Sequence, residues 1–144
     1  MGARAACLVK GRKLRIAVGD RVEVEDGVIV AVAPRKNLVW RSDAFKEKLV
    51  AANVSQIAAV VAPDVGVDED LVSRWTIAAE AAAARFVVLA NKSDQPGFGA
   101  LRERLQSYEA LGYAVVPLSA VHDASPAMPW LEGQHTVLVG QSGM

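Results

Sequence analysis

Three short segments of this 144-residue chain carry residue types that can do chemistry on a nucleotide. The first is Asn91-Lys92-Ser93-Asp94. Guanine presents two adjacent donors, its ring N–H and its exocyclic amine, and a carboxylate at Asp94 accepts both in a bidentate, charge-assisted pair. Adenine has an acceptor where guanine has the ring proton, so the same carboxylate would face a lone pair. A site built on such bonds rejects analogues lacking them by up to ~10⁴–10⁵-fold, enough to separate GTP from ATP. Asn91 is placed to hold the loop and meet the other edge of the base. The Lys92 stem is long enough to lie over the base plane with its ammonium left free. The second segment, Ser119-Ala120, offers the Ala120 backbone N–H to the guanine oxygen, with Ser119 steadying that loop. The third, Gly140-Gln141-Ser142-Gly143-Met144, begins a phosphate loop of the form GxxxxGK[ST], whose backbone N–H groups cradle phosphates. Gly140 is its first glycine, and Gln141, Ser142, Gly143 and Met144 fill the variable positions. Taken alone, Asn, Ser and Asp also make ordinary polar turns, and GQSGM could be a frayed tail.

What precedes each segment decides between these readings. FVVLA (86–90), AVVPL (114–118) and HTVLV (135–139) are apolar runs of the kind read as strands covered on both faces. In a parallel α/β sheet, ligands bind at the carboxyl ends of the strands, and all three segments sit at such ends. A further run, SQIAAVVAP, begins at Ser55. Asp68 then starts a helix, with Glu69 and Asp70 at the positive end of its dipole and Leu71, Trp75, Ala78 and Ala82 along one face. Residues 54–90 therefore read as a β-α-β unit with parallel strands. The next helix carries Leu101, Leu105, Tyr108 and Leu111 on one stripe and stops at Gly112.

The first forty residues read differently. CLVKGRKLRIAV and DRVEVEDGVIVAVAP alternate apolar and polar residues, with turns at Gly19-Asp20 and Asp26-Gly27. They predict short strands of a small barrel, too few to close it. Residues 35–53, basic and bearing Trp40 and Phe45, read as a connector between two units. Charge divides in the same way. Residues 1–48 hold eleven Lys and Arg against six Asp and Glu, and residues 49–144 hold five against ten. The basic part is expected to face nucleic acid, although solvated Lys and Arg on a small β unit would look the same.

Several classes are disfavoured. No apolar run reaches the ~18–20 residues that span a bilayer, and the start lacks the apolar core of a secretory signal. Cys7 is the only cysteine, read as a small apolar strand residue, and with only His122 and His135 besides it no usual zinc site is expected. A reducing cytoplasm is the expected setting.

The order of the nucleotide segments is the most informative point. GTPases of this fold ordinarily place the phosphate loop first, whereas here the base-reading elements precede it, as in a circular permutation. With GDRVEVEDGVIVAVAPRKNLVWRSDAFKEKLVAANVSQ, DEDLVSRWTIAAEAAAARFVVLANKSD, YAVVPLSA and VLVGQSGM in that order, the chain resembles the RsgA (YjeQ, EngC) family of circularly permuted GTPases that act in maturation of the small ribosomal subunit. The resemblance implies an α/β protein in two parts. Residues 1–48 would be an incomplete OB-type barrel facing ribosomal RNA, and residues 49–144 the first part of a permuted P-loop GTPase domain. It implies that Asn91, Lys92 and Asp94 read the guanine of GTP or GDP and that the residues from Gly140 begin the phosphate cradle. Mg²⁺ and a structural Zn²⁺ belong to the intact family, with their ligands absent from this chain. The expectation is a cytoplasmic monomer without a membrane partner, a piece of the whole protein that does not hydrolyse GTP alone, with no catalytic residue assigned. The alternative is a non-catalytic RNA-binding module joined to an inactive nucleotide domain.

Overall fold

The computed structural model describes residues 4–11, 14–42, 47–64 and 66–141. The chain folds as two compact units, Met1–Val54 and Ser55–Met144. In the first unit, β1 (Leu8–Val9), β2 (Val22–Glu25) and β3 (Val28–Val32) form a sheet ordered β1-β3-β2. The β2–β3 hairpin turns at Asp26 (φ 47°) and Gly27 (φ 76°), the pair of positive φ values that a two-residue hairpin loop requires. Cys7 lies ahead of β1 rather than in a strand and is half-buried.

The expected connector is a second hairpin. β4 (Leu38–Ser42) and β5 (Glu47–Ala52) pair antiparallel, with Val39 opposite Ala51 and both buried. Arg41 and Lys48, which pair near its turn, interrupt the apolar pattern around the buried Val39, Ala51 and Ala52. The expected boundary after residue 48 falls within β5, and the units divide six residues later. Among the described residues these strands make one three-stranded and one two-stranded sheet, not a closed barrel. An isolated bridge, Val18 to Ala51, connects the 17–20 turn to β5.

That turn is held from inside. The Asp20 carboxylate, with only 1 % of its side chain exposed, accepts from Arg35 Nε at 2.7 Å and Nη2 at 2.8 Å, a bidentate pair. It also accepts from the Ala17 N–H at 2.8 Å, while Arg35 Nη2 reaches the Arg15 carbonyl at 2.7 Å. Arg35 beside it holds the Asp20 carboxyl below its ordinary value. The contribution of this group is therefore present above the unfolded carboxylate value of about 3.9 and is lost as pH falls through the lower folded value. Urea midpoints of the first unit should hold from neutral pH to about pH 5 and drop below about pH 4. Asp20→Asn should lower the neutral midpoint and flatten that acid limb.

The second unit is built on a parallel sheet of β6 (Gln56–Val61), β7 (Arg85–Ala90), β8 (Ala114–Pro117) and β9 (Thr136–Gly140), ordered β8-β7-β6-β9. Its strands are the apolar runs, and Ile57, Ala58, Val87 and Val88 are wholly inaccessible. α1 (Glu69–Ala81) starts where expected, with Asp68 Oδ1 accepting from the Leu71 N–H at 3.0 Å. Its inward face centres on Val72 and Ala79, while Leu71, Trp75, Ala78 and Ala82 flank that line half-buried. α2 (Phe98–Ala110) buries Leu101, Leu105 and Tyr108 but leaves Leu111 exposed, because the helix ends before it and Gly112 turns the chain at φ 90°. Arg104 Nη2 joins α2 to Glu69 of α1 at 2.7 Å.

Ala58, Val87, Leu89, Val116 and Leu118 form a second buried layer, covered by Ala127, Trp130 and Leu131. Those three come from a 3₁₀ turn (Ser125–Ala127) running into α3 (Met128–Leu131), a segment with no apolar period long enough to predict. Fully buried Gln56 ties it to the sheet, donating from Nε2 to the Trp130 carbonyl at 2.9 Å and to Thr136 Oγ1 at 3.1 Å.

Candidate functional site

Residues 91–94 leave the carboxyl end of β7, and residues 118–120 leave the carboxyl end of its neighbour β8. The Asn91 N–H donates to the Val61 carbonyl at 2.8 Å, carrying the β6–β7 pairing one residue past the strand. Lys92 then takes φ 59°, a left-handed conformation uncommon outside glycine, and the chain turns sharply. The Gln95 N–H closes that turn on the Lys92 carbonyl at 3.0 Å.

The two loops are tied to each other. Ser93 N–H donates to the Leu118 carbonyl at 3.0 Å, and the Ala120 N–H donates to Asn91 Oδ1 at 2.9 Å. Asn91 and Ser119 are both buried, as polar residues are when their bonds are made internally. The 119–123 turn is closed by bonds from the His122 and Asp123 N–H groups to the Ser119 carbonyl, at 3.0 and 2.7 Å. Asn91→Ala should leave the Ala120 N–H without its acceptor and loosen the loop pair by about 1–2 kcal/mol. Amide hydrogen exchange at Ala120 should then speed up while that at Val88 in the sheet stays slow.

Asp94 is partly exposed, with 30 % of its side chain accessible. Its carboxyl lies below the ordinary value, chiefly through the Ser119 hydroxyl and also through Gln95 and His122, against the opposing effect of burial. Gln95 Nε2 donates to Asp94 Oδ2 at 2.9 Å, and His122 Nε2 stands 3.7 Å from the same oxygen. The ionised, acceptor-only form that guanine needs is thus the one this loop favours.

Two details differ from the sequence reading. The Ala120 N–H, expected to face the base, is engaged by Asn91, so in this arrangement it joins the loops. The Lys92 ammonium, expected to be free, meets Asp64 Oδ2 at 2.6 Å. Asp64, Gln95 and His122 were not foreseen. Asp64 sits in a Pro-Asp turn after β6, with nothing in its spacing to mark it.

The phosphate segment is described only at its start. Gly140 ends β9 and is exposed, and Gln141 is half-buried beside Val60, Leu71 and Trp75. Ser142, Gly143 and Met144 lie outside the described residues. Among the described residues no three His, Cys, Asp or Glu side chains gather as metal ligands.

With this geometry in hand, the profile of the family described as RsgA GTPase matches residues 32–144, most of the chain. The chain belongs to the RsgA GTPase family. It is 45 % identical over 153 residues to the protein of Burkholderia pseudomallei (strain K96243) named small ribosomal subunit biogenesis GTPase RsgA, covering 99 % of this chain and 49 % of that one. It is 41 % identical over 144 residues to the protein of that name from Nitrosospira multiformis, covering 96 % of this chain and 46 % of the relative. The crystal structure of YjeQ from Thermotoga maritima matches with a TM-score of 0.72 at 29 % identity, over 99 % of this chain and 54 % of that one. The chain thus spans about half the length of the RsgA relatives it matches. In RsgA terms, what the described residues supply is the pair of loops at β7 and β8 and the first residues after β9.

Proposed function

We propose that the second unit of this chain is the guanine-reading part of a GTP-binding protein. The whole protein would hydrolyse GTP in maturation of the small (30S) ribosomal subunit. The observation that carries this reading is the loop pair at the carboxyl ends of β7 and β8. Asn91 and Ala120 join the loops at 2.9 Å, and Asp94 is left ionised and partly open to solvent. Asn91, Lys92, Ser93, Asp94, Ser119 and Ala120 would form the base site, and the residues from Gly140 onward the start of the phosphate cradle. The ribosomal role is that in the names of the relatives. Mg²⁺, when bound in such proteins, neutralises phosphate charge.

In this reading the first unit is an OB-type RNA-binding unit directed at the small subunit's ribosomal RNA. Its basic balance and the half-exposed Trp40, beside Arg15 and Arg35 in a surface groove, support that assignment. The protein would work in the cytoplasm as a monomer. Among the described residues no helix is long and apolar enough to cross a membrane.

The test is calorimetric titration of the 144-residue chain with GDP and with ADP. GDP should bind at least ~100-fold more tightly, as a site built on hydrogen bonds to the base requires. Equal affinities would overturn the reading. Residues 1–144 contain no complete GxxxxGK[ST] string, so binding without turnover is expected of them. Phosphate release above a protein-free blank would refute that part.

A further inference from the structure

We propose that Asp64 is a positioning residue for guanine. Its carboxylate anchors the Lys92 ammonium, so that the lysine stem is stretched between the β6 and β7 loops as a fixed platform for one face of the base. The proposal rests on the guanine reading above and names a residue which that reading did not contain.

Three observations meet here. Lys92 is held at its backbone, with φ 59° and the bond from the Gln95 N–H to its carbonyl, and at its tip by Asp64 Oδ2 at 2.6 Å. The side chain is therefore fixed at both ends. Lysine is among the most expensive side chains to immobilise, and an ion pair made before the ligand arrives removes that requirement from binding. Second, β6 lies between β7, whose loop carries Asp94, and β9, which ends at Gly140. A bridge from the β7 loop to the β6 loop thus runs along the edge that a nucleotide must cover to reach from the base loop to the phosphate loop.

Third, the pair is too open to be there for stability. The side chains are 26 % and 52 % exposed, and ion pairs of that kind add little to folding. Lys is also no fork-shaped partner for a carboxylate, so the pair is a point contact that leaves the methylene stem available for apolar contact.

A double-mutant cycle tests this. In the 144-residue chain, Asp64→Asn should raise the GDP dissociation constant about five- to tenfold, and Asp64→Glu should restore most of it. On a Lys92→Ala background, Asp64→Asn should change nothing further. Melting temperatures of the Asp64 variants should stay with the parent. Additive losses in the two backgrounds, or no loss from Asp64→Asn, would overturn the proposal while leaving guanine recognition intact. A parent chain that binds GDP no better than ADP would sink both, so the two failures are told apart by the parent alone.

Discussion

Asp94→Asn is expected to turn the base site from guanine to xanthine. On the proposed reading guanine offers two donors to this position, and the Asp94 carboxylate would accept both. An amide there keeps one acceptor and places an N–H₂ against guanine's exocyclic amine, donor against donor. Xanthine carries a carbonyl where guanine carries the amine, so the amide oxygen takes the ring N–H and the amide nitrogen donates to that carbonyl. GDP affinity should fall by about 10²–10³-fold, with xanthosine diphosphate becoming the tighter ligand. Competition between the two diphosphates for a fluorescent analogue would measure it, and an unchanged preference would contradict the assignment of Asp94. The parent should also show a particular pH profile. The Ser119 hydroxyl, first among the influences on Asp94, holds its carboxyl below the ordinary value. GDP affinity should therefore stay level down to about pH 5 and weaken only as the carboxylate takes its proton.

The second large effect is expected in the first unit, at Gly19. Its φ is 89°, and a Cβ built there would come within 2.2 Å of the Ala52 carbonyl oxygen. That oxygen belongs to the buried end of β5, whose Ala52 N–H donates to the Val18 carbonyl at 2.8 Å. Asn53 Nδ2 donates to the Gly19 carbonyl at 2.9 Å, so the turn is gripped on both sides and cannot simply step back. Gly19→Ala combines a left-handed backbone with a clash against main chain. A destabilisation of about 3–5 kcal/mol of the first unit is expected. Denaturation followed at Trp40, in the first unit, against Trp75 and Trp130, in the second, would show whether the loss is confined there. An unchanged first-unit transition would contradict this account of the turn.

The second unit was the more legible in sequence. Its strands are continuous apolar runs, its first helix has a side-chain cap at Asp68, and the chemical segments follow strands, so pattern and placement agreed. The 35–53 hairpin was missed because its apolar positions are few and interrupted by Arg and Lys. Pairing with a neighbour rather than local pattern makes it a strand pair. Asp64 and His122 reach the candidate site by proximity to Lys92 and Asp94 across loops, which one-dimensional spacing does not carry. For the same reason, the engagement of the Ala120 N–H by Asn91, 29 residues away in the chain, could not be read from either segment.

The strand order has a consequence for how such a chain is made. β6 is central, and its partners are synthesised at very different times. β7 follows with Arg85 opposite Gln56, whereas Thr136 of β9, which also meets Gln56, lies 80 residues later. At ~5–20 residues per second on the ribosome, the β9 side of β6 waits roughly 4–16 s for its neighbour. During that interval the loops after β7 and β8 can assemble on β6, β7 and β8, while one edge of the largely buried β6 stays open to whatever nascent or partner strand is near. On the proposed reading, this order would make the base loops an early product of synthesis and closure on the phosphate side a late one.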